Sequence, residues 1–324
     1  MGVSQSGQQH LSKDLAGGIA LTCILFGISG YMPIVGFFFA LLLPVPILFY
    51  RLKIGRQKGL IIPVVTMVIM GMGFGSLSPD ILFYFGLLLL GFVLGECFER
   101  NLTIEKTILY SAGSVLASLG FLLIVYSQSH GGVFNLLSEY IGTNLKLTLA
   151  LYEEMDMPEE NIVLISNSLD SIQYVLVRII PSMAVALILF VAWTSILLAL
   201  PLIKSRNLVY PDFGSLKRWK APEPLVWFVI GSGLALLVPF QSLKIAGLNC
   251  MIVLMTIYFF QGIAIVSYYF EKKRFPRLLK IFIYSIIAMQ QMILILVVGL
   301  GFFDIWLNFR KLDANNNGPN KYTT

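Results

Sequence analysis

Long apolar runs separated by short basic segments dominate this sequence and restrict what it can fold into. A helix that spans a membrane needs about 20 mostly apolar residues, and runs of that length recur from residue 15 to residue 303. Hydrophobic residues make up 57% of the 324-residue chain, while charged residues make up 12%, about half the fraction of an average soluble domain. We therefore predict an all-α, polytopic transmembrane helical bundle.

The apolar runs predict eight or nine spans. Nine segments have the required length and composition: residues 15–30, 32–50, 59–77, 81–98, 107–127, 175–203, 225–241, 247–270 and 280–303. The first two are compatible with a single broken span, because glycines and a proline interrupt the run between Gly27 and Pro33. This count divides the chain into four regions: N-terminal helices over 1–128, a loop over 129–174, C-terminal helices over 175–306 and a polar tail over 307–324.

The distribution of cations predicts the orientation. Most of the 23 Lys and Arg residues fall on one side of a nine-span topology, in clusters at residues 51–58, 204–220 and 272–280. Because cytoplasmic loops carry the excess of Lys and Arg, we predict a multi-pass membrane protein with a cytoplasmic N-terminus. An odd number of spans then puts the C-terminus outside. Since this topology accounts for the net charge of +6, no nucleic-acid partner is expected.

The predicted extracytoplasmic loop over residues 129–174 is strongly acidic. Apolar residues recur at helical spacing from Phe134 to Tyr152, which predicts an amphipathic helix at the membrane surface. Pro158, followed by Glu159 and Glu160, is typical of a helix start. The segment is either a solvated cap without a ligand or a lid over a pocket that opens outward.

Polar residues at the beginning of the sixth predicted span are the candidate lining of such a pocket. Arg178 lies just inside this span and follows Asn167, Asp170 and Gln173. An Arg side chain can bind an anionic group through two parallel hydrogen bonds. Alternatively, Arg178 extends to the interface or pairs with Asp170. These four residues are our candidate substrate-binding residues.

Few other ionisable residues lie within the predicted spans, where each costs several kcal/mol unless it is paired or hydrated. Glu96 and Arg100 have the four-residue spacing of an ordinary helical ion pair. Asp304 ends the last span, six positions before Arg310, and its aromatic and basic neighbours suit an interfacial anchor.

The predicted cytoplasmic loop from Lys204 to Pro224 is a candidate partner-docking surface. Lys217, Arg218 and Trp219 suit either anionic lipid headgroups or the surface of a partner protein. Lipid is the simpler interpretation.

The sequence contains no Walker P-loop, HExxH or GxSxG motif. Both histidines lie outside the apolar segments and the three cysteines are scattered, so we predict neither a metal site nor a cofactor. We expect a protein that is not an enzyme. Uphill transport would need an ion gradient or another subunit.

The stretch from Gly299 to Leu312, GLGFFDIWLNFRKL, resembles the YybS-like family of uncharacterised bacterial inner-membrane proteins. Its members end the last helix in a Phe-Asp-x-Trp-x-Asp-Phe-Arg signature, and this chain has Asn308 where Asp is more common. That family is similar to the S-components of energy-coupling-factor transporters, which bind a vitamin and dock on a transmembrane coupling subunit through small residues of their first helix. The resemblance implies that residues 1–128 are S-component-like and that Ala16, Gly17 and Ala20 dock a partner.

The sequence and the resemblance together predict two alternative functions from different classes. The favoured one is a transporter-like component that binds a small molecule and has no ATPase of its own. The alternative is a membrane scaffold or regulatory protein that recruits partners through the basic cytoplasmic loop. An intramembrane lipid enzyme ranks below both, because the acids Glu96, Glu99 and Asp304 fall at opposite faces in the predicted topology.

Overall fold

The computed structural model describes residues 5–32, 35–74, 79–155 and 158–311; the interruption at Pro33 and most of the predicted polar tail lie outside these ranges. Every regular element in the described ranges is helical, so the all-α prediction is confirmed. The α-helices are α1 (Gln5–Tyr31), α2 (Val35–Ala40), α3 (Pro44–Ile54), α4 (Arg56–Gly59), α5 (Ile61–Phe74), α6 (Pro79–Glu99), α7 (Ile104–Ser127), α8 (Val133–Glu154), α9 (Glu159–Ser205), α10 (Leu225–Leu237), α11 (Gln241–Lys272), α12 (Arg277–Met289) and α13 (Gln291–Leu307).

Six segments of the described chain are long and apolar enough to cross a membrane. They are Leu11–Tyr31, Val35–Ile54, Ile81–Glu99, Ile104–Ser127, Glu159–Ser205 and Gln241–Lys272. The pair α12 and α13, bent by 102° at Gln290, is a seventh if it counts as one span. The described residues thus contain six or seven candidate spans, and the predicted count of eight or nine is not confirmed. The difference arises where α5 has 14 described helical residues and α10 has 13, fewer than a straight span needs.

The described residues form two compact units. The first contains the chain up to Val177 together with Leu187–Asp212. Within it, α6 packs against α3, α5 and α7. The close approach of α6 to α3 depends on Gly91, because a Cβ atom there would lie 2.6 Å from the Pro44 carbonyl oxygen.

The acidic segment forms a pair of helices in the first unit. α8 is amphipathic, and α9 begins at Glu159 directly after Pro158, as predicted. Gln173 of α9 holds α8 by donating hydrogen bonds from Nε2 to the carbonyl and hydroxyl oxygens of Ser138, at 2.8 and 2.9 Å. α9 is unbroken over its 47 residues from Glu159 to Ser205, a length of roughly 70 Å. The predicted loop and the sixth predicted span therefore share one continuous helix.

The second unit contains Arg178–Ala186 and the described chain from Phe213 onward. Its core is the contact of α11 with α10 and α13. Gly262 and Gly301 allow the backbones of α11 and α13 to touch, because a Cβ on Gly301 would collide with the Tyr258 carbonyl oxygen. The fully buried Tyr258 ring packs edge-on against Phe302, with the ring centroids 5.3 Å apart.

The C-terminal end of α13 lies at the same end of this unit as the basic loop. Arg310 donates hydrogen bonds from Nη1 to the carbonyl oxygens of Lys217 and Trp219, both at 2.9 Å. The prediction that the C-terminal segment lies across the membrane from this loop is therefore wrong. Its physical cause is the break at Gln290, which replaces the single straight span expected over residues 280–303.

Substituting Gly301 by Ala should destabilise the protein, because the added methyl group has no room against the α11 backbone. Overpacking of this kind costs roughly 1–3 kcal/mol. Gly299→Ala is the matched control, since nothing lies within 4 Å of a Cβ at that position of the same helix. Thermal unfolding in detergent should show a lower Tm for Gly301→Ala alone, and equal Tm values for the two variants would contradict the proposed helix contact.

Candidate functional site

The C-terminal motif residues Asp304 and Arg310 form a fully buried ion pair. Arg310 Nη2 lies 2.7 Å from Asp304 Oδ2, and neither side chain is exposed to solvent. Asn308 adopts a left-handed conformation, with φ of 39°, which Asn tolerates well. The resulting turn brings the Phe309 N–H to within 3.0 Å of Asp304 Oδ1. The two charges are therefore a buried pair and not part of the interfacial anchor that the aromatic and basic neighbours of Asp304 suggested.

This pair connects several segments of the second unit. Gln261 of α11 donates a hydrogen bond from Nε2 to Asp304 Oδ2, at 3.2 Å, and its Oε1 accepts one from the Ala221 N–H, at 3.0 Å. The contacts of Arg310 with the Lys217 and Trp219 carbonyl oxygens add the basic loop. Because the pair makes these contacts within the protein, we interpret it as a structural clamp.

A second buried arginine, Arg51, lies in the first unit, where α3 meets the end of α6. Its side chain is fully buried, and Nη2 donates a hydrogen bond of 2.7 Å to Glu96 Oε2. Its guanidinium also lies over the Phe92 ring, 5.0 Å from the centroid. Gly95 makes this position available, because a Cβ there would meet the Arg51 side chain.

Glu96 is the centre of a larger charged cluster, which we call the Arg51 cluster. Arg51, Arg56 and Arg100 all lie within 3.3 Å of Glu96, and Arg51 also pairs with Glu99. The predicted Glu96–Arg100 ion pair is confirmed, at 3.2 Å. The three guanidinium groups face two carboxylates, so the cluster carries one uncompensated positive charge.

The Arg51 cluster borders a cavity of about 510 Å³. Arg56, Glu96 and Arg100 line one part of it, and mostly apolar and aromatic side chains of α6 and α7 line the rest. A second cavity of about 260 Å³, between α5 and α6, is lined only by apolar residues. The two cavities share Leu89 and Phe92, so they adjoin along α6. We call the combined space the α6 groove.

The candidate substrate-binding residues Asn167, Asp170, Gln173 and Arg178 all lie on α9. Asn167 and Asp170 are exposed, whereas Gln173 is half-buried and contacts Ser138. The backbone carbonyl of Arg178 accepts a hydrogen bond from Asn249 of α11, at 3.1 Å. Arg178 also belongs to a different compact unit from the other three. Their role as a ligand site stays a prediction.

The candidate docking residues differ in their solvent exposure and in their contacts within the protein. Ala16 and Ala20 are exposed on α1, while Gly17 is half-buried, with Tyr50 Oη 3.1 Å from where its Cβ would lie. In the basic loop, Lys217 pairs with Glu271 at 2.9 Å, and Trp219 packs against the core of the second unit. Arg218 is exposed. Two of the three loop residues therefore make contacts within the protein.

Comparison with known proteins gives the family. A family described as "Predicted membrane protein (DUF2232)" matches residues 20–305, which is most of the chain. The chain belongs to this family. It is also similar to the "Uncharacterized protein YybS" of Bacillus subtilis (strain 168), with 22% identity over 269 residues that cover 80% of this chain and 84% of that protein. No solved structure matches it.

Family membership supports part of the interpretation of the sequence. The resemblance to YybS-like proteins is confirmed, and the chain is a multi-pass membrane protein of a family whose function is not known. The sequence alone did not identify the Arg51 cluster. Arg51 lies 45 positions before Glu96, and in the sequence nothing distinguishes it from the other cations of the basic segment at residues 51–58.

Replacing Asp304 by Asn should strongly destabilise the protein, because Arg310 would remain charged and buried without its carboxylate. Removing one partner of a buried ion pair costs about 3–5 kcal/mol. Lys311→Gln is the control, since it changes an exposed cation next to the pair. Unfolding measured in detergent should show a large loss of stability for Asp304→Asn and little change for Lys311→Gln. A stable Asp304→Asn variant would contradict the clamp.

Proposed function

We propose that this protein is a membrane-embedded binding component for a small amphiphile, which it holds in the α6 groove. The proposal keeps the predicted transporter-like role without an ATPase and moves the site from α9 to α6. It is a binding and not a catalytic role. The observation that carries it is the combination of a charged end and an apolar end in adjoining cavities of one unit.

The dimensions of the groove support this ligand class. The larger cavity alone is within the range of about 300–1,000 Å³ that is usual for small-molecule sites. From Phe85 to Arg100 the groove follows α6 over 15 residues, roughly 22 Å. That length exceeds half of a hydrocarbon core about 30 Å thick, so it accommodates a lipid-like tail below a polar head.

The exposure of the groove's rim supports entry from the bilayer. Val64 and Val68 of α5 and Tyr110 of α7 are each just over 50% exposed. In a membrane, such apolar side chains face lipid. An amphiphile can therefore slide its tail between α5 and α6 while its head remains near Arg56 and Arg100.

The proposal includes a partner that supplies energy for any transport step, because the sequence has no motif for nucleotide hydrolysis. The resemblance to S-components makes α1 the docking helix. This is supported by the exposure of Ala16 and Ala20 and by α1 being the least buried of the six spanning segments. Small exposed residues let a second helix approach closely.

Filling the α6 groove should expel its ligand. Ser114→Trp puts a bulky side chain into the larger cavity, whereas Leu109→Trp adds the same group at a 66% exposed position of α7 that does not line it. Native mass spectrometry of protein purified from its own membranes should show an amphiphile retained by Leu109→Trp. We expect about tenfold less in Ser114→Trp, because overpacking costs roughly 1–3 kcal/mol.

Equal retention of the amphiphile by the two variants would contradict binding in the α6 groove. If Ser114→Trp and Leu109→Trp retain the same amphiphile to the same extent, the ligand is bound elsewhere on the protein.

A further inference from the structure

We propose that the amphiphile bound in the α6 groove has an oxyanionic head with a single negative charge, held by Arg56 and Arg100. This inference rests on the proposed function and adds the chemical class of the ligand. A phosphodiester lipid head without a cationic group, as in phosphatidylglycerol, and an ionised carboxylate both satisfy it. The tail occupies the apolar cavity between α5 and α6.

The first argument is charge. The Arg51 cluster has three arginines for Glu96 and Glu99, and the surplus charge falls on the exposed side chains of Arg56 and Arg100. An oxyanion that binds there gains a charge-assisted hydrogen bond. One added negative charge balances the cluster. Two negative charges would exceed what the arginines need, which favours a monoanion over a dianionic phosphate monoester.

The second argument is unused hydrogen-bonding capacity. Nε and Nη1 of the fully buried Arg51 have no hydrogen-bond partner, although Nη1 lies 3.0 Å from Glu99 Oε1. Its Nη2 donates hydrogen bonds to both carboxylates, to Glu96 Oε2 at 2.7 Å and to Glu99 Oε2 at 3.1 Å. Arg56 and Arg100, by contrast, are 64% and 67% exposed and line the larger cavity. They can turn toward an incoming oxyanion while Glu96 keeps its contact with Arg51.

The third argument is the position of the cluster relative to the tail site. Leu89 and Phe92 border both cavities, and Glu96 lies one helical turn beyond Phe92 on the same helix. A ligand whose tail packs on Leu89 therefore has its head at Glu96 and Arg100. Neither a free anion nor a neutral apolar molecule would use both parts.

The test uses the full-length protein in phosphatidylcholine nanodiscs that contain one photoactivatable probe at a time. The probes are phosphatidylglycerol, phosphatidylcholine and a fatty acid, each with the photoactivatable group in its tail. The readout is the yield of crosslinks to residues 85–100, measured by mass spectrometry. We expect about tenfold more labelling by phosphatidylglycerol than by phosphatidylcholine, because the choline cation of phosphatidylcholine neutralises its phosphodiester. Tenfold corresponds to about 1.4 kcal/mol, the size of one charge-assisted interaction.

Two variants test whether the preference for phosphatidylglycerol depends on the Arg51 cluster. The double variant Arg56→Gln, Arg100→Gln changes only exposed side chains, so it should fold normally and lose the preference for phosphatidylglycerol. Arg218→Gln removes an exposed arginine of the second unit and should retain it. Labelling by the fatty acid as well as phosphatidylglycerol extends the ligand class to carboxylates. Labelling by phosphatidylglycerol alone restricts it to phosphodiesters whose head has a net negative charge. Both results support the inference.

Several results would contradict the inference, and they show whether the proposed function fails with it. Equal labelling by phosphatidylglycerol and phosphatidylcholine overturns the anionic head and leaves the amphiphile site intact. An unchanged preference in the double variant shows that the cluster does not hold the head and overturns the inference as well. No labelling of residues 85–100 by any probe overturns both this inference and the proposed function.

Discussion

A guanidinium group buried in a membrane protein needs a partner such as a carboxylate, and the described residues of each compact unit include such a pair. Arg51 with Glu96 joins α3 to α6, and Arg310 with Asp304 joins the end of α13 to the basic loop. The cost of leaving either charge unpaired in a low-dielectric environment is large. These pairs therefore restrict how the neighbouring helices can be arranged, and glycines at the contacts provide the space.

The two ion pairs differ in their surroundings, and we assign one a structural role and the other a role in ligand binding. Arg310 is hydrogen-bonded to two carbonyl oxygens and to Asp304, and both charges are fully buried. Arg51 instead belongs to a cluster with excess positive charge that borders the α6 groove. We therefore interpret the pair in the C-terminal motif as a clamp, and the basic residues near position 51, which the sequence indicated only as a marker of orientation, as part of a ligand site.

Sequence reasoning predicted what depends on composition and short-range spacing. It found the apolar segments, the start of α9 after Pro158 and the Glu96–Arg100 pair. It could not find Arg51 with Glu96, since nothing local links residues 45 positions apart. It also misplaced the C-terminal segment, because hydropathy over residues 280–303 does not reveal a 102° bend at Gln290. A single such break changes which end of the unit the following residues reach.

The central claim is that the α6 groove holds an amphiphile whose head meets Arg56 and Arg100. The most direct measurement is a cryo-electron microscopy map of the protein in nanodiscs made from its own membrane lipids. We predict elongated density along α6 from Phe85 to Arg100, with its head within about 3 Å of an arginine nitrogen. A map in which repacked side chains fill the groove, leaving no ligand density against Leu89 and Phe92, would contradict the account.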